Sequence, residues 1–159
     1  METSEQVWRD ALGSAIEEVF DTMVLRDFVE EPGLDVPAIL GDKACVMTVE
    51  LFGSSWARIV LRIRSELARD VGSNILGVDE AEMSEDDVED AACELLNMIA
   101  GACKRRLADA GSSYELGVPG PFGESDVAES NDGDARSSIV IAGRLGDDPL
   151  EVRVFSTWS

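Results

Sequence analysis

Two adjacent segments in which apolar residues strictly alternate constrain the fold of this chain more than any other feature. In the first segment the apolar positions are 45, 47, 49 and 51, and Thr48 and Glu50 point the other way. In the second segment, positions 57, 59, 61 and 63 form one apolar face. A short link that contains Gly53 joins the two segments, which is typical of an antiparallel β-hairpin. The apolar face of this hairpin has to be covered by apolar surface from elsewhere in the chain.

Amphipathic patterns predict that this covering surface is supplied by three helices. In residues 4–23, apolar side chains recur every four positions from Val7 to Met23. A shorter helix is predicted over residues 65–77, and the longest over residues 84–110. We expect each of these helices to lay an apolar face on the sheet.

Signals for the ends of the two later helices are also present. We expect Ser65 to cap the start of the shorter helix and Gly77 to end it. Ser84 and Asp87 resemble a capping box at the start of the long helix, and Gly111 is the expected end. Acidic residues in the first turn of the long helix and basic residues in its last turn suit the helix dipole.

The C-terminal third of the chain is rich in β-like alternation. Strands are predicted over Tyr114–Val118, Ser138–Arg144 and Leu150–Thr157. Between the first two strands, the polar and acidic residues 124–136 predict a mobile loop. Residues 30–42 contain two prolines and two glycines and predict an irregular connection.

The resulting order, α-β-β-α-α-β-β-β, indicates an α/β (α+β) domain with long helices packed on a mostly antiparallel sheet. The chain has 159 residues, a length that suits one domain, which we expect over residues 1–159. Hydrophobic residues make up 45% of the chain, enough to build a core and unlike the composition of a disordered protein.

The charge of the chain restricts its partners. The sequence has 13 Lys and Arg against 33 Asp and Glu, so its formal net charge is -20. Such a polyanion repels phosphate backbones and anionic lipids, so we expect no nucleic-acid and no membrane binding, and instead a basic surface on a partner protein. No apolar run is long enough to span a bilayer and no cleavable signal is recognisable, so we expect a cytoplasmic protein.

Several kinds of chemistry are excluded by residue content. The chain contains no histidine, which excludes Ser-His-Asp and Cys-His catalysis and all His-ligated metal sites. Its cysteines, Cys45, Cys93 and Cys103, lack the Cys-x-x-Cys spacing of a zinc ribbon. Cys93 and Cys103 lie about 15 Å apart along the predicted helix, too far for a disulfide. The acidic stretch from Asp79 to Asp90 lacks EF-hand spacing, so we expect no metal site there.

The long helix carries two separate faces when its residues are placed at 100° intervals. The core face contains Val88, Ala91, Ala92, Leu95, Ile99, Ala102 and Cys103. A second stripe consists of Asp90, Glu94, Asn97, Gly101 and Lys104. Because glycine inside a helix costs about 1 kcal/mol relative to alanine, Gly101 indicates close packing or the approach of a partner surface. From the pattern alone, the alternative that Glu94 and Asn97 merely face solvent stays open.

The residues around this stripe resemble those of a known family. The segment ELLNMIAG combines a Glu-x-x-Asn pair with Met-Ile-x-Gly, and it follows the hairpin MTVELFGSSWARIVLRI and the helix SELARDVGSNILG. Pro119, after the strand YELGV, fits the same pattern. Over about residues 5–156, the chain resembles the CheX branch of the CheC/CheX/FliY family of chemotaxis phosphatases. The resemblance implies a CheC/CheX-like fold and a single CheX-like phosphatase domain.

The resemblance also implies an activity. Such proteins hydrolyse the phospho-aspartate of CheY-type response regulators, whose own site holds Mg²⁺ and a lysine. The chain would then need no cofactor of its own, and the phosphorylated regulator would supply the Mg²⁺. Asn97 would orient the attacking water and Glu94 would pair with the regulator's lysine. A neutral amide accepts a hydrogen bond from water without bringing negative charge toward the phosphoryl group. Asp90, Gly101 and Lys104 on the same stripe are candidate partner-binding residues.

Two alternatives to an active phosphatase remain at this point. One is a non-catalytic adaptor on the same fold that binds response regulators or resembles a flagellar-switch protein, and the other is an unrelated acidic domain. The first helix offers no second motif, since Glu17 and Glu18 are followed by Phe20 and Asp21. A single motif is typical of CheX-type members, which form dimers through their sheets. The resemblance therefore implies a homodimer, in which the late strands could supply the shared edge.

Overall fold

The computed structural model describes residues 3–122 and 137–157, so the predicted loop at 124–136 lies outside the described residues. The described helices are α1 (Ser4–Val19), α2 (Val36–Leu40), α3 (Ser65–Leu76) and α4 (Glu85–Asp109). The described strands are β1 (Phe28–Glu30), β2 (Ala44–Gly53), β3 (Trp56–Arg64), β4 (Tyr114–Leu116), β5 (Gly120–Pro121), β6 (Ser137–Leu145) and β7 (Asp148–Ser156). Single 3₁₀ turns precede β2 and α4, at Gly41–Lys43 and Glu80–Glu82.

These strands form one antiparallel sheet in the order β1-β6-β7-β3-β2-β4, and β5 also pairs with β2. The predicted hairpin is confirmed, with Met47 of β2 opposite Leu61 of β3. At the centre of the sheet, Ile59 of β3 lies opposite Val154 of β7. The sheet and its helices confirm the predicted α/β (α+β) domain, with long helices packed on a mostly antiparallel sheet.

The alternation of side chains divides the sheet into two faces. The face toward α1, α3 and α4 is fully buried along the central strands, at Ala57, Ile59, Leu61, Ile63, Leu150, Val152 and Val154. The short helix α2 packs on the opposite face, where Val36 and Leu40 form a small cluster with Ala142. All the residues assigned to the core face of the long helix are buried, as predicted.

The strand order reveals an internal two-fold repeat. Strands β1, β2 and β3 occupy positions that mirror those of β4, β6 and β7. Helices α1 and α4 pack against each other, and the pattern of buried and exposed residues at 11–20 recurs at 91–100. At this offset of 80 positions, Ser14 and Glu17 of α1 correspond to Glu94 and Asn97 of α4. The chain therefore presents two equivalent helix faces that carry different residues.

The end of the first helix departs from the predicted pattern. Residues Phe20–Val24 form a π-helical turn, which is wider than an α-helical turn. The wider turn rotates the following side chains, so Met23 is 54% exposed whereas Val24 is buried. The prediction that Met23 continues the apolar row was wrong for this reason.

Two further predictions about local structure were wrong. Residues 30–42 are not irregular throughout, because the Asp35 side chain accepts a hydrogen bond from the Ala38 amide and caps α2. Pro37 is tolerated there because it stands in the first turn of the helix. Ser65 does not cap α3, since it is already helical and its hydroxyl donates to the Lys43 carbonyl oxygen at 3.2 Å. The end of α3 at Gly77 is confirmed by its φ of 69°.

Candidate functional site

The start of α4 is fixed by a reciprocal capping box. The Ser84 hydroxyl accepts a hydrogen bond from the Asp87 amide at 3.1 Å, and the Asp87 carboxylate accepts one from the Ser84 amide at 2.9 Å. At the other end, Gly111 follows the cap residue with a φ of 97°, in the left-handed region. Both boundaries agree with the sequence prediction, so the register of every side chain along the helix is set.

Packing against its neighbours holds α4 in place. On one side, Gly72 of α3 lies so close to Ala91 that a Cβ on Gly72 would stand 2.4 Å from the Ala91 Cβ. On another side, Glu18 of α1 forms ion pairs with Arg105 at 3.0 Å and Arg106 at 3.4 Å. The stripe that faces away from the core is therefore presented on a well-supported helix.

The structure brings the predicted site residues together on one outer face of α4. Asp90, Glu94 and Asn97 are exposed, and Gly101 and Lys104 are half-buried. Glu94 and Asn97 are three residues apart, so they lie on neighbouring turns of the same face. With the other described residues, neither side chain forms a hydrogen bond or an ion pair. Their exposure agrees with the predicted placement of this pair outside the core face of the helix.

Gly101 has no packing function within the described part of the chain. A Cβ built on it would meet nothing within 4 Å, in contrast to the tight contact that requires glycine at position 72. The cost of a helical glycine is therefore not explained by a neighbouring element of the fold. Gly101 lies one turn beyond Asn97, so the open space adjoins the Asn97 side chain, and Glu94 lies one turn further toward the start of the helix.

Asp86 extends this stripe by one turn and was missed as part of it. In the sequence, Asp86 was interpreted as a charge that suits the helix dipole and as part of an acidic stretch in which no metal site was expected. Its spacing of four residues before Asp90 places the two carboxylates on the same face, and both are exposed. The same spacing, applied to the sequence, would have found it.

The cysteines offer no nucleophile. All three are free thiols, and burial raises the pKa of Cys45 to about 11 and that of Cys103 to about 12. Burial, with Asp90 and Glu89 next in importance, also raises the pKa of the half-buried Cys93. These groups stay protonated at neutral pH, and a thiol attacks only as the thiolate. Across residues 3–122 and 137–157, no cluster of three or more acidic or cysteine side chains is arranged to hold a metal.

The equivalent face of α1 has a different character. Ser14, Glu17, Glu18 and Asp21 line an open cleft of about 530 Å³, together with Asp27, Phe28 and Arg106. Where α4 has the amide of Asn97, α1 has the carboxylate of Glu17. A carboxylate repels a phosphoryl group, so this cleft is unsuited to the chemistry expected of α4. The α1 face therefore carries no equivalent of the Glu94 and Asn97 pair.

Comparison with known proteins identifies the family. The model of the family described as chemotaxis phosphatase CheX matches residues 45–142, which include the whole of β3 and α4 and nearly all of β2. The chain belongs to the CheX family. Among curated proteins, no sequence matches significantly. In the part of this CheX chain that the structure describes, no helix is long and apolar enough to cross a membrane.

Solved structures agree with this family. A CheX-CheY-BeF3-Mg+2 complex from Borrelia burgdorferi matches with a TM-score of 0.71 and 24% identity, over 94% of this chain and 97% of that one. Chemotaxis protein CheX from Vibrio vulnificus matches with a TM-score of 0.70 and 16% identity, over 94% and 95%. FliY from Thermotoga maritima matches with a TM-score of 0.57 and 15% identity, over 94% and 84%. At these identities the matches establish the shared fold.

Proposed function

We propose that this chain hydrolyses the phospho-aspartate of a CheY-type response regulator at the outer face of α4. Asn97 orients the attacking water, and Glu94 pairs with a lysine of the regulator and fixes the docked position. The observation that carries this proposal is the exposed pair itself, presented on a rigid helix with no other described side chain to bind. Membership of the CheX family supports it, as does the B. burgdorferi complex of a CheX protein with CheY.

The main contribution of this chain to the reaction is to position the attacking water. The water oxygen attacks phosphorus, the bond from phosphorus to the aspartyl oxygen breaks, and inorganic phosphate and a free aspartate result. The Asn97 side-chain oxygen accepts a hydrogen bond from the water and directs it in line with the bond that breaks. Holding the water in that geometry lowers the activation free energy of hydrolysis by several kcal/mol through positioning alone.

Glu94 acts on the regulator and not on the water. Its carboxylate lies one turn before Asn97, so an ion pair with a regulator lysine would bring the phosphoryl group opposite the amide. The regulator supplies the Mg²⁺, which neutralises charge on the phosphoryl oxygens. In this proposal the phosphatase contributes the Asn97 amide, which orients water, and the Glu94 carboxylate, which holds the regulator. It needs no cofactor of its own, and it acts in the cytoplasm, where such regulators work.

We test this with matched pairs of variants. Asn97→Ala should abolish the acceleration of regulator dephosphorylation, whereas Asn74→Ala, an exposed asparagine on α3, should leave it intact. Glu94→Gln should raise KM with a smaller effect on kcat, whereas Glu66→Gln, an exposed glutamate on α3, should change neither. If the native protein binds the phosphorylated regulator tightly but does not accelerate its dephosphorylation, the adaptor hypothesis would replace the phosphatase hypothesis.

A homodimer is a second part of the proposal, and the edge of the sheet supports it. Strand β1 pairs with Gly143–Leu145 of β6, and the Glu31 amide donates a hydrogen bond to the Ala142 carbonyl oxygen. Among the described residues, no strand covers the edge of β6 before Ala142, which leaves a template for a second copy. The substitution Val140→Pro removes a backbone N–H that faces away from β7, so this position could no longer donate a hydrogen bond to a strand of a second copy. Sedimentation equilibrium should show a dimer for the native protein and a monomer for the variant.

A further inference from the structure

The charges of α4 are divided along its length. All its carboxylates except that of Asp109 lie within its first ten residues, and its three cations, Lys104, Arg105 and Arg106, lie near its other end. Several of these charges have partners within the fold. Asp87 closes the capping box, Glu85 pairs with Arg69 at 3.7 Å, and both arginines pair with Glu18.

The charges that remain without an ion-pair partner among the described residues include every charged member of the outer stripe. Asp86, Asp90 and Glu94 follow one another at four-residue intervals, about 6 Å apart along the axis. Like charges at this spacing destabilise a helix, and only Asp86 is near enough to the N-terminus to benefit from the dipole. The fold therefore carries an internal repulsion along the stripe that no described cation relieves.

Asn97 stands at the middle of this stripe. Asp90 lies seven residues before it and Lys104 seven residues after it, about 10 Å away on each side. A phosphoryl group placed against Asn97 would have the carboxylates of Asp86, Asp90 and Glu94 on one side and the ammonium group of Lys104 on the other. Those carboxylates repel the phosphoryl group unless the partner places positive charge against them.

We propose that this division of charge selects the response regulator and sets the direction in which it docks, an inference that rests on the proposed function. The regulator presents a basic patch, in addition to its active-site lysine, against Asp86 and Asp90. It presents a carboxylate against Lys104. Docking turned end for end would place acid against acid and base against base, so the charges favour a single orientation. Gly101, between Asn97 and Lys104, leaves room for the regulator's backbone to come close.

Charge reversal at each end of the stripe tests this. Asp90→Lys and Lys104→Glu should each weaken binding about tenfold at low ionic strength, measured with a CheY-type regulator loaded with beryllofluoride and Mg²⁺. In turnover assays KM should rise by the same factor while kcat is retained. High salt should remove most of the difference, because exposed charges are screened. Asp42→Lys, the same charge change at an exposed site before β2, is the matched control.

Each outcome separates this inference from the proposed function. If Asp90→Lys and Lys104→Glu bind as Asp42→Lys does at low and high salt, the charge inference is overturned. The phosphatase would still stand in that case, provided that Asn97→Ala abolishes turnover. If Asn97→Ala keeps full turnover, the proposed function fails whatever the reversals do. A regulator variant with reversed charges that restores binding to Asp90→Lys would support the proposed orientation directly.

Discussion

Substitution of Gly101 by alanine should change stability and activity in opposite directions. The residue lies inside α4, where alanine is favoured over glycine by about 1 kcal/mol. The added Cβ meets no described atom within 4 Å, so nothing in the fold opposes this gain. For a chain of this length, such a gain corresponds to a rise of about 3 °C in Tm.

Activity should fall despite the gain in stability. If the regulator's backbone comes close to α4 at Gly101, a methyl group there holds the phosphoryl group away from the Asn97 amide. A displacement of about 1 Å can cost a hundredfold in rate, and we expect a loss of at least about tenfold in kcat/KM. The assays are thermal unfolding and the decay of the phosphorylated regulator, with the same preparations.

Gly13→Ala provides the control for the Gly101 substitution. Gly13 lies inside α1, and a Cβ there would make an ordinary contact of 3.6 Å with the Ile141 side chain. It should raise Tm by a similar amount and leave activity unchanged. A Gly101→Ala protein that is stabilised and fully active would refute the view that a partner approaches this glycine. A Gly101→Ala protein that is less stable than the native protein would refute the inference that the added Cβ enters open space.

Three further outcomes follow from the packing, the thiols and the helix cap. Gly72→Ala should destabilise the fold by about 2 kcal/mol in urea denaturation, since its Cβ would collide with Ala91, and Ala91→Gly should recover part of the loss. Folded Cys45 and Cys103 have pKa values of about 11 and 12 against an ordinary 9.0, so the stability held by the neutral thiols is complete below pH 9 and declines as the pH rises toward 11. Each thiol contributes a slope of about 1.4 kcal/mol per pH unit there, and Cys103→Ala should make the measured decline shallower. Ser84→Ala should cost about 1 kcal/mol by loss of the α4 cap, and hydrogen exchange should show faster exchange in the first turn of α4.

The main strands were predictable because one apolar face imposes a period of two. The burial of positions 57 to 63 in β3 and of Leu150 to Val154 in β7 follows from alternation alone, since a shift of one residue would expose the whole row. Among the short elements, β4 was predicted within Tyr114–Val118, whereas β1 and α2 escaped prediction. The strand β1 and the helix α2 are too short for periodicity to show, and they depend on tertiary contacts and on the Asp35 cap.

The candidate site was predictable to the level of residues on one helix. The 100° spacing places Glu94 and Asn97 outside and Leu95 inside, and the structure agrees. The two-fold repeat was not predictable, because α1 and α4 share a burial pattern and few identities. The exposure of Met23 was also not predictable. It follows from the π-helical turn, whose local backbone geometry does not show in the apolar pattern of the sequence.

The most direct test of the central claim is the decay rate of a phosphorylated CheY-type regulator at saturating concentrations of this protein. The account predicts rapid decay with the native chain and the intrinsic regulator rate with Asn97→Ala, while both proteins bind the regulator with similar affinity. Equal decay rates with the two proteins, at equal binding, would contradict the assignment of Asn97 as the residue that orients water.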